Sequence, residues 1–225
     1  MVPIIARLFI FSNIYWKISP LLYIMKQEGN MYTIKDPTEI KIIIKNSTFI
    51  GFLTHIESYE EVPKYLSEVQ MRFPGATHYV YAYIIGSEKR FCDDKEPAGT
   101  AGSPILNVLE KEQLNYVLAI VVRYFGGIKL GAGGLVRAYT NVIHDTIEQA
   151  IKYQLEEGMY VKIEVSYSLY DSFCYHFSKN KFKSQEYKEN IIIEMTCSVN
   201  DLKYLSDNGF NYTVIKPCLV TKELE

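Results

Sequence analysis

Apolar and polar residues follow two periods along this chain, and their succession predicts an α+β protein. Residues 39–45 (EIKIIIK) and 48–56 are apolar-rich and partly alternating, the period-2 signature of strands. Asn46-Ser47 between them marks a turn, so the two segments read as a hairpin. Val62, Leu66, Val69 and Phe73 then recur at helical spacing, which gives a helix one apolar face. Ser58, Tyr59, Glu60 and Glu61 come close to a capping box at its start, and Pro74-Gly75 ends it. Residues 79–85 predict a third strand and residues 116–124 a fourth. Residues 86–103 read as a long loop, and Pro104 suits the first turn of a short helix to about residue 110. Over residues 135–153, Leu135, Ala138, Tyr139, Val142 and Ile143 fall on one helical face. Arg137, Asn141, His144 and Glu148 fall on the other.

Glu157-Gly158 marks a boundary. Beyond it the pattern predicts a strand over 160–169 and a helix to about 180, capped by Asp171. Strands at 183–187 and 191–196, a helix at 199–207 and a strand at 212–217 follow. That order is β-α-β-β-α-β, the split βαβ or ferredoxin-like arrangement. The chain therefore divides into an N-terminal extension (1–30), a first domain (31–157) and a ferredoxin-like C-terminal domain (158–225).

Composition narrows the function classes. A formal net charge of −2 predicts no bulk attraction to nucleic acid or membrane, so any such binding has to come from a local patch. Cys92, Cys174, Cys197 and Cys218 are widely spaced, with no C-x-x-C, which fits a reducing cytoplasm and argues against a zinc ribbon or redox dithiol. His55, His78, His144 and His176 are scattered too, and no metal or other cofactor is expected. Within the apolar residues 2–25, the uncharged stretch between Arg7 and Lys17 is nine residues long, short of the roughly 20 a membrane span needs. The stretch has no signal-peptide architecture. The expectation is a translation start at Met25 or Met31, and a protein from Met31 onward that folds as stably as the full chain.

The run VVRYFGGIKLGAGGLVRAY, from Val121, carries the main candidate chemistry. Gly126, Gly127, Gly131, Gly133 and Gly134 lie between a strand and a helix, with Arg123, Lys129 and Arg137 beside them and no acid at positions 121–140. Such a loop presents backbone N–H groups to a phosphate, a carboxylate or an RNA backbone. It is equally compatible with a tight structural turn. The spacing matches neither the dinucleotide-binding nor the Walker pattern.

A second loop holds Asp93, Asp94 and Glu96 with Pro97, Gly99 and Thr100. One reading makes the three acids Mg²⁺ ligands of an enzyme acting on a phosphorylated substrate, with the glycine loop on the phosphate. The other makes them structural, with Asp93 or Asp94 paired to Arg123 or Arg137. No nucleophile stands beside a general base in the sequence, so no catalytic residue is assigned. Tyr79, Tyr81 and Tyr83 alternate along the third strand. They form either a surface that stacks bases, with His78 beside it, or a face packed under a helix.

Taken together, Ala76-Thr77-His78 with Tyr81-Ala82-Tyr83, the loop DDKEPAGTAG from Asp93, and the glycine run resemble the signature of the IMPACT/YigZ family. Where that family usually has Gly and Ser in the acidic loop, this chain has Lys95 and Ala98. The resemblance covers the chain from about Met31 and is strongest over 76–139. It implies a first domain of the superfamily named for the second domain of ribosomal protein five of the small subunit. It also implies a ferredoxin-like domain similar to the last domain of elongation factor G. Members of the family are associated with translation control, and the eukaryotic relative competes for a ribosome-associated kinase activator. The implied partners are RNA, the ribosome or a translation factor, with no membrane.

Overall fold

The computed structural model describes residues 30–178, 180 and 182–223. The expectations about residues 1–29 lie outside the described residues. Two compact units divide the chain, residues 28–154 and 155–222.

The first unit is built on a five-stranded sheet of order β2-β3-β6-β4-β5. Strands β2 (Thr38–Ile44) and β3 (Ser47–His55) form the expected hairpin. Its two-residue turn is Lys45-Asn46, with φ of 44° and 65°. Positive φ at both central positions matches the strand twist, and asparagine tolerates it well. Beyond β3, Ser58 and Glu61 form the predicted capping box ahead of α1 (Val62–Arg72). Strands β4 (His78–Ile85) and β6 (Val117–Tyr124) pair antiparallel in the middle of the sheet. Helices α2 (Gly102–Lys111) and α3 (Ala132–Gln149) complete the unit.

Alternation along β6 sorts its side chains into two cores. Val117, Ala119 and Val121 face Ile105, Leu109, Tyr139 and Ile143 of α2 and α3. Leu118, Ile120 and Val122 join Val62 and Val69 of α1. Both faces are covered, which is why β6 reads as a continuous apolar run.

Two strands depart from the sequence pattern. Strand β5 (Glu88–Cys92) occupies the start of the expected loop and pairs with β4 across Gly86-Ser87. Its EKRFC sequence is mostly exposed, as befits a charged edge strand. Strand β1 (Met31–Ile34) precedes the expected hairpin, and β7 (Lys152–Val165) begins earlier than the strand expected from residue 160.

In the second unit the order is β7, α4 (Tyr170–His176), β8 (Ser184–Tyr187), β9 (Ile191–Ser198), α5 (Val199–Asp207), β10 (Asn211–Glu223). Strand β10 pairs with β7, β7 with β9 and β9 with β8. This is the predicted ferredoxin-like topology. Gly158, which the sequence marks as a break, lies inside β7. A Cβ there would stand 2.6 Å from the Cys197 carbonyl and from a Val220 methyl, so the glycine serves close packing within the sheet. Helix α4 is shorter than expected, and Leu169 rather than Asp171 holds its N-cap position. All four cysteines are free thiols. Burial pushes the thiols of Cys197 and Cys218 up to about 12 and about 11, which makes them poor nucleophiles. No helix of the described residues is long and apolar enough to cross a membrane.

Candidate functional site

Antiparallel pairing of β6 with β3 and β4 brings the signature segments to one end of the first sheet. Arg123 is the cross-strand partner of both Phe49 and His78. The turn after α1 is tied in by Thr77, whose Oγ1 accepts from Phe125 N–H at 3.0 Å. Tyr124 O–H donates to the Pro74 carbonyl at 3.2 Å. The β2–β3 turn meets the same loop. Gly126 N–H donates to Ser47 Oγ at 3.1 Å, and a Cβ on Gly126 would collide with the Asn46 carbonyl.

The acidic loop turns its carboxylates inward. Asp93 accepts from the N–H groups of Gly99, Ala101 and Gly102 at 3.0, 3.2 and 2.7 Å. Thr100 closes the same turn through its own hydroxyl, which donates to the Pro97 carbonyl at 2.7 Å. Asp94 accepts from Tyr79 N–H at 2.6 Å, and its carbonyl receives His78 Nδ1 at 2.7 Å. Because a carbonyl only accepts, His78 carries its proton on Nδ1.

Glu96 goes deepest. Its Oε1 lies 2.5 Å from Arg123 Nη1, accepts from Tyr139 O–H at 2.7 Å and stands 3.7 Å from His78 Nε2. Arg123 is only 5% exposed. Its guanidinium lies 5.3 Å from the Phe49 ring centre and 5.6 Å from that of Phe125. Its Nε has no hydrogen-bond partner. Burial first, then the charge and hydrogen bond of Glu96, push the Tyr139 phenol far above its usual range. Tyr139 therefore stays protonated and donates to Glu96.

Several expectations change on this geometry. The partner of Arg123 is Glu96, rather than Asp93 or Asp94. Arg123 leaves the set of cations that can meet a ligand, because it is buried. The three acids do not gather as a metal-ligand set among the described residues: both Asp93 oxygens and Asp94 Oδ2 accept backbone N–H bonds, and Glu96 Oε1 is held by Arg123 and Tyr139. Tyr79, Tyr81 and Tyr83 pack with α1 and its neighbours, and Tyr83 is 6% exposed, so this face is covered. His78 lies on the opposite face, in register with Arg123.

What remains outward is cationic and apolar. Lys45, Lys95, Lys129 and Arg137 are all exposed, and Phe125 and Ile128 are 45% and 47% exposed beside them. Of the glycines, Gly127 and Gly131 have φ of 82° and 74°, and Gly131 is the N-cap of α3 with no side-chain cap bond. The first-turn N–H groups of Ala132, Gly133 and Gly134 precede the first intrahelical bond, from Leu135 N–H to the Gly131 carbonyl at 2.9 Å. A Cβ on Gly133 would meet nothing, whereas one on Gly134 would lie 3.0 Å from Leu130 Cβ. The sequence offered no sign that Lys45 and Lys95 belong here, because only the fold brings their turns together. Elsewhere on α3, His144, Asp145 and Glu148 gather their ligand atoms within 4.8 Å of one another, a loose surface set linked by pairs of 3.8 and 3.9 Å.

The family described as the Impact N-terminal domain matches residues 45–147, the stretch that builds this end of the sheet. A Thermus thermophilus IMPACT family member is 44% identical over 125 residues, 56% of this chain and 68% of that protein. The chain belongs to the IMPACT family. The IMPACT family member YvyE of Bacillus subtilis is likewise 44% identical over 111 residues, 48% of this chain. The chain spans about half the length of the Bacillus and Haemophilus influenzae IMPACT relatives. A crystal structure described only as a hypothetical protein covers 83% of this chain and 98% of its own, with 25% identity and a TM-score of 0.57. The matched residues include Glu96, Arg123 and Tyr139, which fasten the acidic loop to β6 and α3.

Proposed function

We propose that this protein acts in translation control in the cytoplasm, by binding RNA or the ribosome through the β6–α3 end of its first sheet. One observation carries the reading. Glu96 is buried against Arg123 and the half-buried Asp93 and Asp94 are turned to backbone N–H groups, while Lys45, Lys95 and Lys129 are exposed on turns and Arg137 on α3. Four exposed cations thus outnumber the two half-buried acids, which gives a chain of net charge −2 a local excess of positive charge, as polyanion binding requires. Membership of the IMPACT family supports the translational setting. The acidic residues act as scaffold in this reading, and the Mg²⁺-dependent enzyme loses the ligands it was built on.

The test is fractionation of tagged full-length protein on ribosome profiles at rising salt. Co-sedimentation is expected at low salt and should fall steeply as salt rises. Lys129→Ala should weaken it without changing the unfolding midpoint. Free migration at every salt concentration contradicts the reading.

A further inference from the structure

We infer that this surface takes single-stranded RNA, with one unpaired base stacked on Phe125 and the flanking phosphates on Lys45, Lys95 and Lys129. The inference rests on the reading above and specifies its ligand. Phe125 is the last residue before the glycine loop, and its ring centre lies 5.6 Å from the Arg123 guanidinium. Arg123 is held by buried Glu96, and Glu96 by Tyr139. The backbone of Phe125 is pinned by its bond to Thr77 Oγ1. The residue is held at its backbone and by Arg123, yet it remains 45% exposed. An exposed aromatic ring near cations is the arrangement that stacks unpaired bases, whereas duplex bases are already stacked on each other.

The backbone at position 95 supplies independent support. Lys95 has φ of 67° and follows Asp94 with φ of 40°, the left-handed region that favours glycine. A lysine there costs conformational energy and contributes no contact to the core, since it is exposed. What it adds is a cation one residue beyond Asp94, whose carbonyl binds His78, the chain neighbour of Thr77. Lys45 likewise sits in the left-handed region, in the turn that Gly126 packs against. Both lysines thus stand, exposed, in left-handed turns that are tied to the segments flanking Phe125. Charge complementarity selects a polyanion, and the ring selects one with unpaired bases.

The experiment is fluorescence anisotropy of full-length protein with labelled single-stranded oligouridylate and oligoadenylate, and with an RNA duplex of equal length. Single strands are expected to bind at least ten times tighter than duplex. Phe125→Ala should weaken single-strand binding by about 5- to 100-fold and leave duplex binding unchanged, and Phe125→Trp should retain the wild-type affinity. Lys95→Gly should weaken binding several-fold while keeping or raising the unfolding midpoint. Equal affinity for both forms, or an unchanged Phe125→Ala alongside a weakened Lys129→Ala, would overturn base stacking and leave the cationic surface standing. Absence of RNA binding with ribosome co-sedimentation retained would overturn the RNA ligand in favour of a protein one. Absence of both would remove the functional reading as well.

Discussion

Glu96 and Arg123 form a buried ion pair, Oε1 to Nη1 2.5 Å, across which the acidic loop is fastened to the central strand of the first sheet. Both side chains are almost fully enclosed, and Tyr139 and His78 complete the ring of polar groups about the carboxylate. The pair fixes Arg123 beneath Phe125, so the inward arrangement of charge determines the shape of the outward surface.

Removing one partner strands the other charge. Glu96→Ala should lower stability by about 3–5 kcal/mol, whereas Glu96→Leu with Arg123→Leu should cost far less than twice that, because no buried charge is left unpaired. Urea unfolding of the two single variants and the double variant measures this, and strict additivity of the losses would contradict it.

Tyr139 sets an alkaline limit. Its phenol is pushed up in the folded protein, while in the unfolded chain it ionises near about 10. The unfolded state therefore releases a proton as pH rises above about 10 and the native state does not. This contribution is fully present below pH about 10 and is lost above it, by about 1.4 kcal/mol per pH unit. Other raised phenols and thiols add to the same decline, so the difference between wild type and Tyr139→Phe isolates this group. Stability curves for the two that run parallel from pH 8 to 11 would contradict the assignment.

Two glycines of the signature should respond oppositely to alanine. Gly126→Ala drives a methyl into the Asn46 backbone and should cost about 1–3 kcal/mol or more. Gly133→Ala meets nothing and lies in the first turn of α3, where alanine should be neutral or stabilising by about 0.5–1 kcal/mol. Thermal unfolding of both variants decides the matter.

The contrast between these glycines marks what the sequence conveyed. The β2–β3 hairpin, though with its turn one residue earlier than Asn46-Ser47, the Ser58 cap and the C-terminal β-α-β-β-α-β order were legible because turn chemistry and periodicity are local. Strand β5 was not, since EKRFC carries the polarity of a loop and is a strand only through its pairing with β4. The fate of Arg123 was half legible. Pairing with the acidic loop was expected, whereas its burial was not, since the sequence sets Arg123 among the cations offered to a ligand. Its partner, 27 residues earlier, could not be chosen among three nearby acids without the fold. Gly158 lies close to the division between the two units, but its role as a glycine, admitting the neighbouring strand inside β7, was not legible from the sequence.

Lys95 tests the strain argument independently of any ligand. A left-handed L-residue costs about 1–2 kcal/mol, partly offset by the greater freedom glycine gives the unfolded chain. Lys95→Gly should therefore raise stability by about 0.5–1 kcal/mol in urea unfolding, and a loss of stability would mean that the lysine makes a folding contribution of its own.

The most direct test of the cationic surface is the salt dependence of RNA binding. With single-stranded RNA, log K against log salt concentration should fall, and each phosphate contact removed should flatten the slope by about 0.7. Lys129→Ala should lose about one such step, and Lys45→Ala with Lys129→Ala about two, with unfolding midpoints unchanged. An identical slope in wild type and the double variant would show that neither Lys45 nor Lys129 contacts a phosphate, and would contradict the account.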